Sequence, residues 1–167
     1  MSTICVSNCL QKNYCYERTE KPGKNFHPEF NPDLTPKQML ALGVFDGYYF
    51  WDKPKEFPSN WFTKAKLAKD GVRDKELNYF AVSASKPLTY WQEKGWIHSN
   101  DPQGWFQWYA RYYMGRRHSD DERQIHRWKM MKRHIAQVEK HCMIGDIECR
   151  PRQRQALLHW AYDSRAL

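Results

Sequence analysis

Residues 101–117, DPQGWFQWYARYYMGRR, restrict the possible folds more than any other stretch. Two Trp, one Phe and three Tyr fall between Trp105 and Tyr113, and an Arg pair follows. At about 100° per residue, Trp105, Trp108, Tyr109, Tyr112 and Tyr113 share one helical sector, with Arg116 at its end. Asp101 suits the N-cap, Pro102 the first turn and Gly115 a C-terminal stop. The spacing predicts the central core helix of a small domain.

Mean hydropathy is −0.93, a value that suits a disordered chain, but 16% of residues are aromatic. Each ring buries a large area, so a few of them build a core that aliphatic counts miss. The 167 residues suit one domain. No apolar run approaches the length of a membrane span, and no basic-then-apolar leader opens the chain. The expectation is a soluble, intracellular protein, cytoplasmic or nuclear, with no membrane partner.

A net charge of +8 and a pI near 9.3 favour an acidic partner. DNA or RNA, an acidic small molecule and an acidic protein all qualify; oligomeric state is not legible. Before residue 101 the cations are 12 Lys and 2 Arg; from there on they are 3 Lys and 10 Arg. Arg offers a planar fork for phosphate or carboxylate and stacks on rings, which Lys does not. The C-terminal part is therefore where a binding site is expected. Five Cys without a secretory leader are expected as free thiols.

Residues 1–33 read as an irregular arm, because KPGKNFHPEFNPD is dense in breakers. Residues 34–167 read as a single helical domain. Thr35, Pro36 and Gln38 form a capping box that opens a helix ending at Gly43. Asp46-Gly47 suggests a hairpin turn. FPSNWFTKAKLAKDG reads as a second short helix, LNYFAVSAS as a strand and LTYWQEK as a helix. Ser119, with Glu122 three residues on, caps a long helix to about His141. Its buried stripe is Ile125, Trp128, Met131, Ile135 and Val138. A last helix starts at Arg150-Pro151. The fold class is mainly α, with at most a short hairpin or strand pair.

The segments NYFAVSASKPLTYWQEKGWI, DPQGWFQWYARYYMGRR, DERQIHRWKMMKRH and CRPRQRQALLHWAYDSR resemble motifs of a group of small Trp/Tyr-rich proteins to which no activity attaches. With LALGVFDGYYF they cover residues 39–165. The resemblance implies one compact unit and supplies no catalytic residues.

Three residue sets could carry chemistry. The first is an anion or nucleic-acid site made of Arg116, Arg117, Arg123, Arg127, Arg150, Arg152 and Arg154, with Trp and Tyr beside them for stacking. The second is acid–base chemistry by His134, His159 or Asp163, although no catalytic motif fixes a geometry. The third is a metal site from His141, Cys142 and Cys149, or from the N-terminal Cys with His27, although neither spacing matches a standard zinc pattern. No cofactor is expected. The leading functional expectation is a nucleic-acid-binding domain. The alternatives are a small enzyme acting on an anionic substrate and a protein-interaction or assembly component.

Overall fold

A computed structural model describes all 167 residues. Six α-helices and four 3-10 turns are joined by long irregular connections, and the strands form one two-stranded antiparallel hairpin. The contacts divide the chain into two compact units. The first comprises residues 1–31 and 86–127; the second comprises 32–85 and 128–167.

The first unit corrects the expectation of an irregular arm. Strand β1 (Ser2–Val6) pairs with β2 (Tyr14–Arg18), with Cys5 opposite Cys15 in the register. Those two form a disulfide. The remainder of the arm supplies the hub of the aromatic core. Phe30 is 2% exposed and lies 5.5 Å, centre to centre, from the rings of Trp108, Tyr109 and Tyr112. Edge-to-face and tilted pairs of this kind add to the area they bury.

Helix α2 spans Leu88–Glu93 and α3 spans Trp105–Tyr113. Every α3 residue from Trp105 to Tyr112 is buried, so this helix is enclosed on all sides rather than amphipathic. Gly104, at φ 91°, occupies its N-cap. Asp101 is not the cap; its carboxylate has a different role, described below. At the other end Gly115, at φ 114°, accepts backbone bonds from Thr19 and Glu20 of the arm.

Helix α4 (Asp121–Met130) begins after Ser119, and α5 (Lys132–His141) continues from it. The expected single helix is thus two. The backbone at Met131 stays right-handed (φ −70°, ψ −13°), and its N–H bonds to the carbonyl of Trp128, three residues back. The join is a tightened turn, not a change of direction imposed by a breaker. Of the expected stripe, Ile125, Trp128 and Val138 are buried, whereas Met131 and Ile135 are half-buried.

In the second unit α1 (Pro36–Ala41) has the complete capping box of Thr35 and Gln38. Helix α6 (Pro151–Leu158) follows Arg150, whose backbone is left-handed. Trp128 stacks on Tyr162 at 4.9 Å, and the Tyr162 hydroxyl donates to the Trp128 carbonyl at 2.8 Å. Asp46 and Gly47 do make a left-handed turn, but no strands flank it. Instead Ala68 N–H donates to Gly47 O, and Lys66 N–H to Leu40 O. Those bonds hold Lys66 and Ala68 against α1 and its turn, so of the expected second helix only two 3-10 turns form, Ser59–Trp61 and Lys69–Gly71.

The expected strand LNYFAVSAS is also absent. Ala81 is left-handed (φ 53°). Asn78 Oδ1 takes the N–H of Val82, and Gln155 Oε1 takes that of Phe80. Side chains supply the partners that a neighbouring strand would have offered.

The five Cys are not all free thiols. Cys142 and Cys149 form the second disulfide, and only Cys9, on the hairpin loop, is reduced and exposed.

Candidate functional site

The seven candidate Arg residues divide between the two units. Arg116, Arg117, Arg123 and Arg127 belong to the first unit; Arg150, Arg152 and Arg154 belong to the second. Their surroundings differ more than their sequence neighbourhood suggests.

Arg116 is structural. Its guanidinium donates to both oxygens of Asp101 and to the Tyr14 hydroxyl. Arg111, a residue the sequence pattern passes over, joins the same carboxylate and also donates to Asn100 O and Gln11 Oε1. Both guanidinium groups lie under the ring of Tyr16, at 5.5 and 5.6 Å. Burial works against the charge on Arg116, but its bonds to Asp101 outweigh burial and hold its pKa above the usual arginine value. With side chains 0–2% exposed, this trio cannot meet a ligand. It ties the hairpin to both ends of α3.

Arg117 is half-buried. It lies 3.9 Å from the centre of the Tyr112 ring and donates to four backbone carbonyls, those of Tyr112, Arg116, Lys24 and Asn25. Arg154, fully buried, likewise collects the carbonyls of Cys149, Ser164 and Leu167. Arg150 bonds to Gln153, and Arg152 to Ser83 O. Apart from Arg150, these side chains donate to irregular backbone, which needs donors where no ladder supplies them.

Arg123 and Arg127 are placed differently. They sit one turn apart on α4, and both donate to the backbone carbonyl of Trp96, at 3.2 and 3.3 Å. Arg123 also holds the Asp120 carboxylate through two bonds. Arg127 further donates to Gln124 Oε1. Burial, and then the like charge of Arg123, lower the Arg127 pKa to about 10, so it remains cationic at neutral pH at an energetic cost. Trp96 is 42% exposed as a residue, and its ring packs at 5.2 Å on that of Trp91. Tyr90 completes the cluster, with Lys86 and Lys94 over its ring at 5.7 and 5.6 Å. An aromatic surface bordered by four cations results, with Glu93, Asp120, Asp121 and Glu122 as acids in the same segments.

The acid–base candidates do not converge. His134 bonds through Nδ1 to Gln153. Asp163 is held by Arg165, which draws its pKa below the usual carboxylate value. His159 stacks on Phe45 at 4.9 Å with Nε2 shut off from water, and burial lowers its pKa to about 4. A ring kept neutral, with Nε2 closed off, cannot exchange a proton with a substrate through that nitrogen.

Apart from Cys9, the cysteine candidates for a metal are taken up in disulfides. Cys142 and Cys149 spend their thiols on each other, as do Cys5 and Cys15, so none of them offers a thiolate to a metal. No group of three or more His, Cys, Asp or Glu side chains is placed to hold an ion.

The chain matches no protein-family model, no curated protein and no solved structure. No helix is long and apolar enough to cross a membrane.

Proposed function

We propose that the chain binds nucleic acid through the surface built from α2, Trp96 and the first half of α4. The reading rests on one observation: two arginines of α4 converge on the carbonyl of an exposed tryptophan. That places cationic forks at the border of an aromatic face. Phosphate is the anion that a pair of guanidinium groups fits, and a base is the flat group that follows it along a chain. The overall charge of +8 adds long-range attraction. Arg116, Arg117 and Arg154 support the fold, and Arg150 and Arg152 lie exposed in the second unit, so the proposed site is narrower than the distribution of Arg implied. The enzyme alternative has no comparable surface, because His134, His159 and Asp163 are each engaged with local partners.

Fluorescence anisotropy with labelled DNA and RNA at low salt tests the reading. Binding should weaken as salt rises, and replacing Arg123 or Arg127 by Ala should each reduce the log–log salt slope by about 1. No binding at low salt ends the proposal.

A further inference from the structure

We infer that this surface selects single strands over duplexes, stacking an unpaired base on the Trp96 ring with the adjoining phosphate between Arg123 and Arg127. The inference rests on the nucleic-acid reading above and goes further by naming the substrate class.

The cluster distinguishes among its own rings. Lys86 and Lys94 already lie over Tyr90, so that ring is spent on cations that draw in a backbone. Trp91 is half-buried beneath its neighbour. Trp96 keeps two-fifths of its surface open, and its position is held from both sides. Its N–H bonds to Trp91 O at 3.1 Å, and its own carbonyl takes the two guanidinium groups. With its backbone held this way and its ring packed on Trp91 at 5.2 Å, the platform loses less freedom when a base lands on it than a loose side chain would, which favours binding.

Duplex recognition needs a different shape. A helix or ribbon must enter a groove, with its side chains aimed at base edges. Helix α2 has only six residues, and the two arginines of α4 lean back onto Trp96 rather than forming a projecting row. Within a duplex the base faces are covered by their neighbours, so an exposed indole gains nothing there. In a single strand every base has a face to offer. The cost of keeping Arg127 charged in a half-buried place points the same way, since a phosphate beside it removes that cost.

The experiment uses the intact chain and three probes at low salt: a deoxythymidine oligomer of about twelve nucleotides, an abasic oligomer of equal length, and a duplex of equal length. The deoxythymidine oligomer should bind about tenfold or more tightly than either of the others. Trp96→Leu, which fills the apolar site without a π face, should bring the deoxythymidine oligomer down to the abasic level, and Trp96→Phe should restore most of the difference. Equal affinity for the abasic and deoxythymidine oligomers overturns the stacking inference with the unaltered protein alone. A preference for the duplex overturns strand selection but leaves the nucleic-acid reading standing. No binding to any probe removes both.

Discussion

Arg116 grips Asp101 at two points, Nη1 to Oδ1 at 2.8 Å and Nη2 to Oδ2 at 2.6 Å. Arg111 adds a third bond to Oδ1 at 2.9 Å. One buried carboxylate thus neutralises half of the charge on two buried guanidinium groups, and aromatic faces and carbonyl oxygens carry the remainder. Removing the carboxylate leaves two cations in a place water does not reach. Asp101→Asn preserves shape and volume but removes the charge, and should destabilise the fold by about 3–5 kcal/mol. Urea unfolding of parent and variant measures the difference. A loss below about 1 kcal/mol would show that water reaches the trio and that it does not anchor the hairpin.

Gly115 tests the same docking from the backbone side. A Cβ at this position would lie 2.0 Å from the carbonyl oxygen of Glu20, and φ is 114°, which L side chains rarely adopt. The Gly115 carbonyl also takes the N–H groups of Thr19 and Glu20. Gly115→Ala therefore cannot be accommodated by turning a side chain; either the arm moves off or the chain end of α3 distorts. The expected cost is more than about 2 kcal/mol. Thermal unfolding followed by circular dichroism reads it. An unchanged midpoint would mean that residues 19 and 20 do not lie against this turn.

His159 sets an acid limit on stability. Its folded pKa, about 4, lies below the ordinary value of 6.5, because burial disfavours the charged ring; Asp46 and the Val44 carbonyl only partly oppose this. The neutral form is favoured in the fold, so the contribution is complete above pH 6.5. It is lost as pH falls from 6.5 towards 4, while the unfolded chain takes up the proton first. Full loss amounts to about 3 kcal/mol. His118 and His134, both lowered chiefly by burial, act in the same direction. The comparison is thus parent against His159→Gln, whose urea-derived stability should fall less steeply over that interval. Parallel curves would contradict the burial of Nε2.

Where a structural element depends on neighbouring residues, it is legible in the sequence. Thr35, Pro36 and Gln38 lie within one turn, so their capping box is both expected and present. Arg150-Pro151 marks the start of α6 for the same reason. The density of rings in 105–113 identifies the central helix, and Trp108 and Tyr112 are buried as their spacing implies. What fails depends on distant partners. LNYFAVSAS alternates like a strand, but Gln155, 75 residues beyond Phe80, takes its N–H. The arm reads as irregular because its Pro and Gly residues are visible, whereas the Tyr14, Gln11 and Asp101 contacts with Arg111 and Arg116 are not. Arg enrichment suggests a binding site, but Arg111, Arg116 and Arg154 instead serve buried polar contacts. It does not distinguish an Arg that serves carbonyls from one that faces solvent. Trp96 enters the proposed site through a carbonyl that receives two arginines 27 and 31 residues away, a pairing no local pattern shows.

The cysteines offer the last prediction, and it bears on where the protein can work. With two disulfides and Cys9 free, a thiol reagent should count one reactive group per native chain and five after denaturation and reduction. Five reactive groups without reductant would refute both bridges. The bridges close short loops, with sequence separations of 10 and 7, so each should contribute about 2 kcal/mol through the unfolded chain. Such bridges persist in oxidising compartments and open in a reducing one. If the proposed nucleic-acid surface operates in a reducing compartment, the first unit must hold its shape without Cys5–Cys15. The Asp101 trio and the Phe30 cluster, neither of which involves sulfur, should provide that. Reduced protein should therefore keep its near-ultraviolet aromatic signal and its affinity for the deoxythymidine oligomer while unfolding at lower urea. Loss of the aromatic signal on reduction would restrict the working site to an oxidising environment.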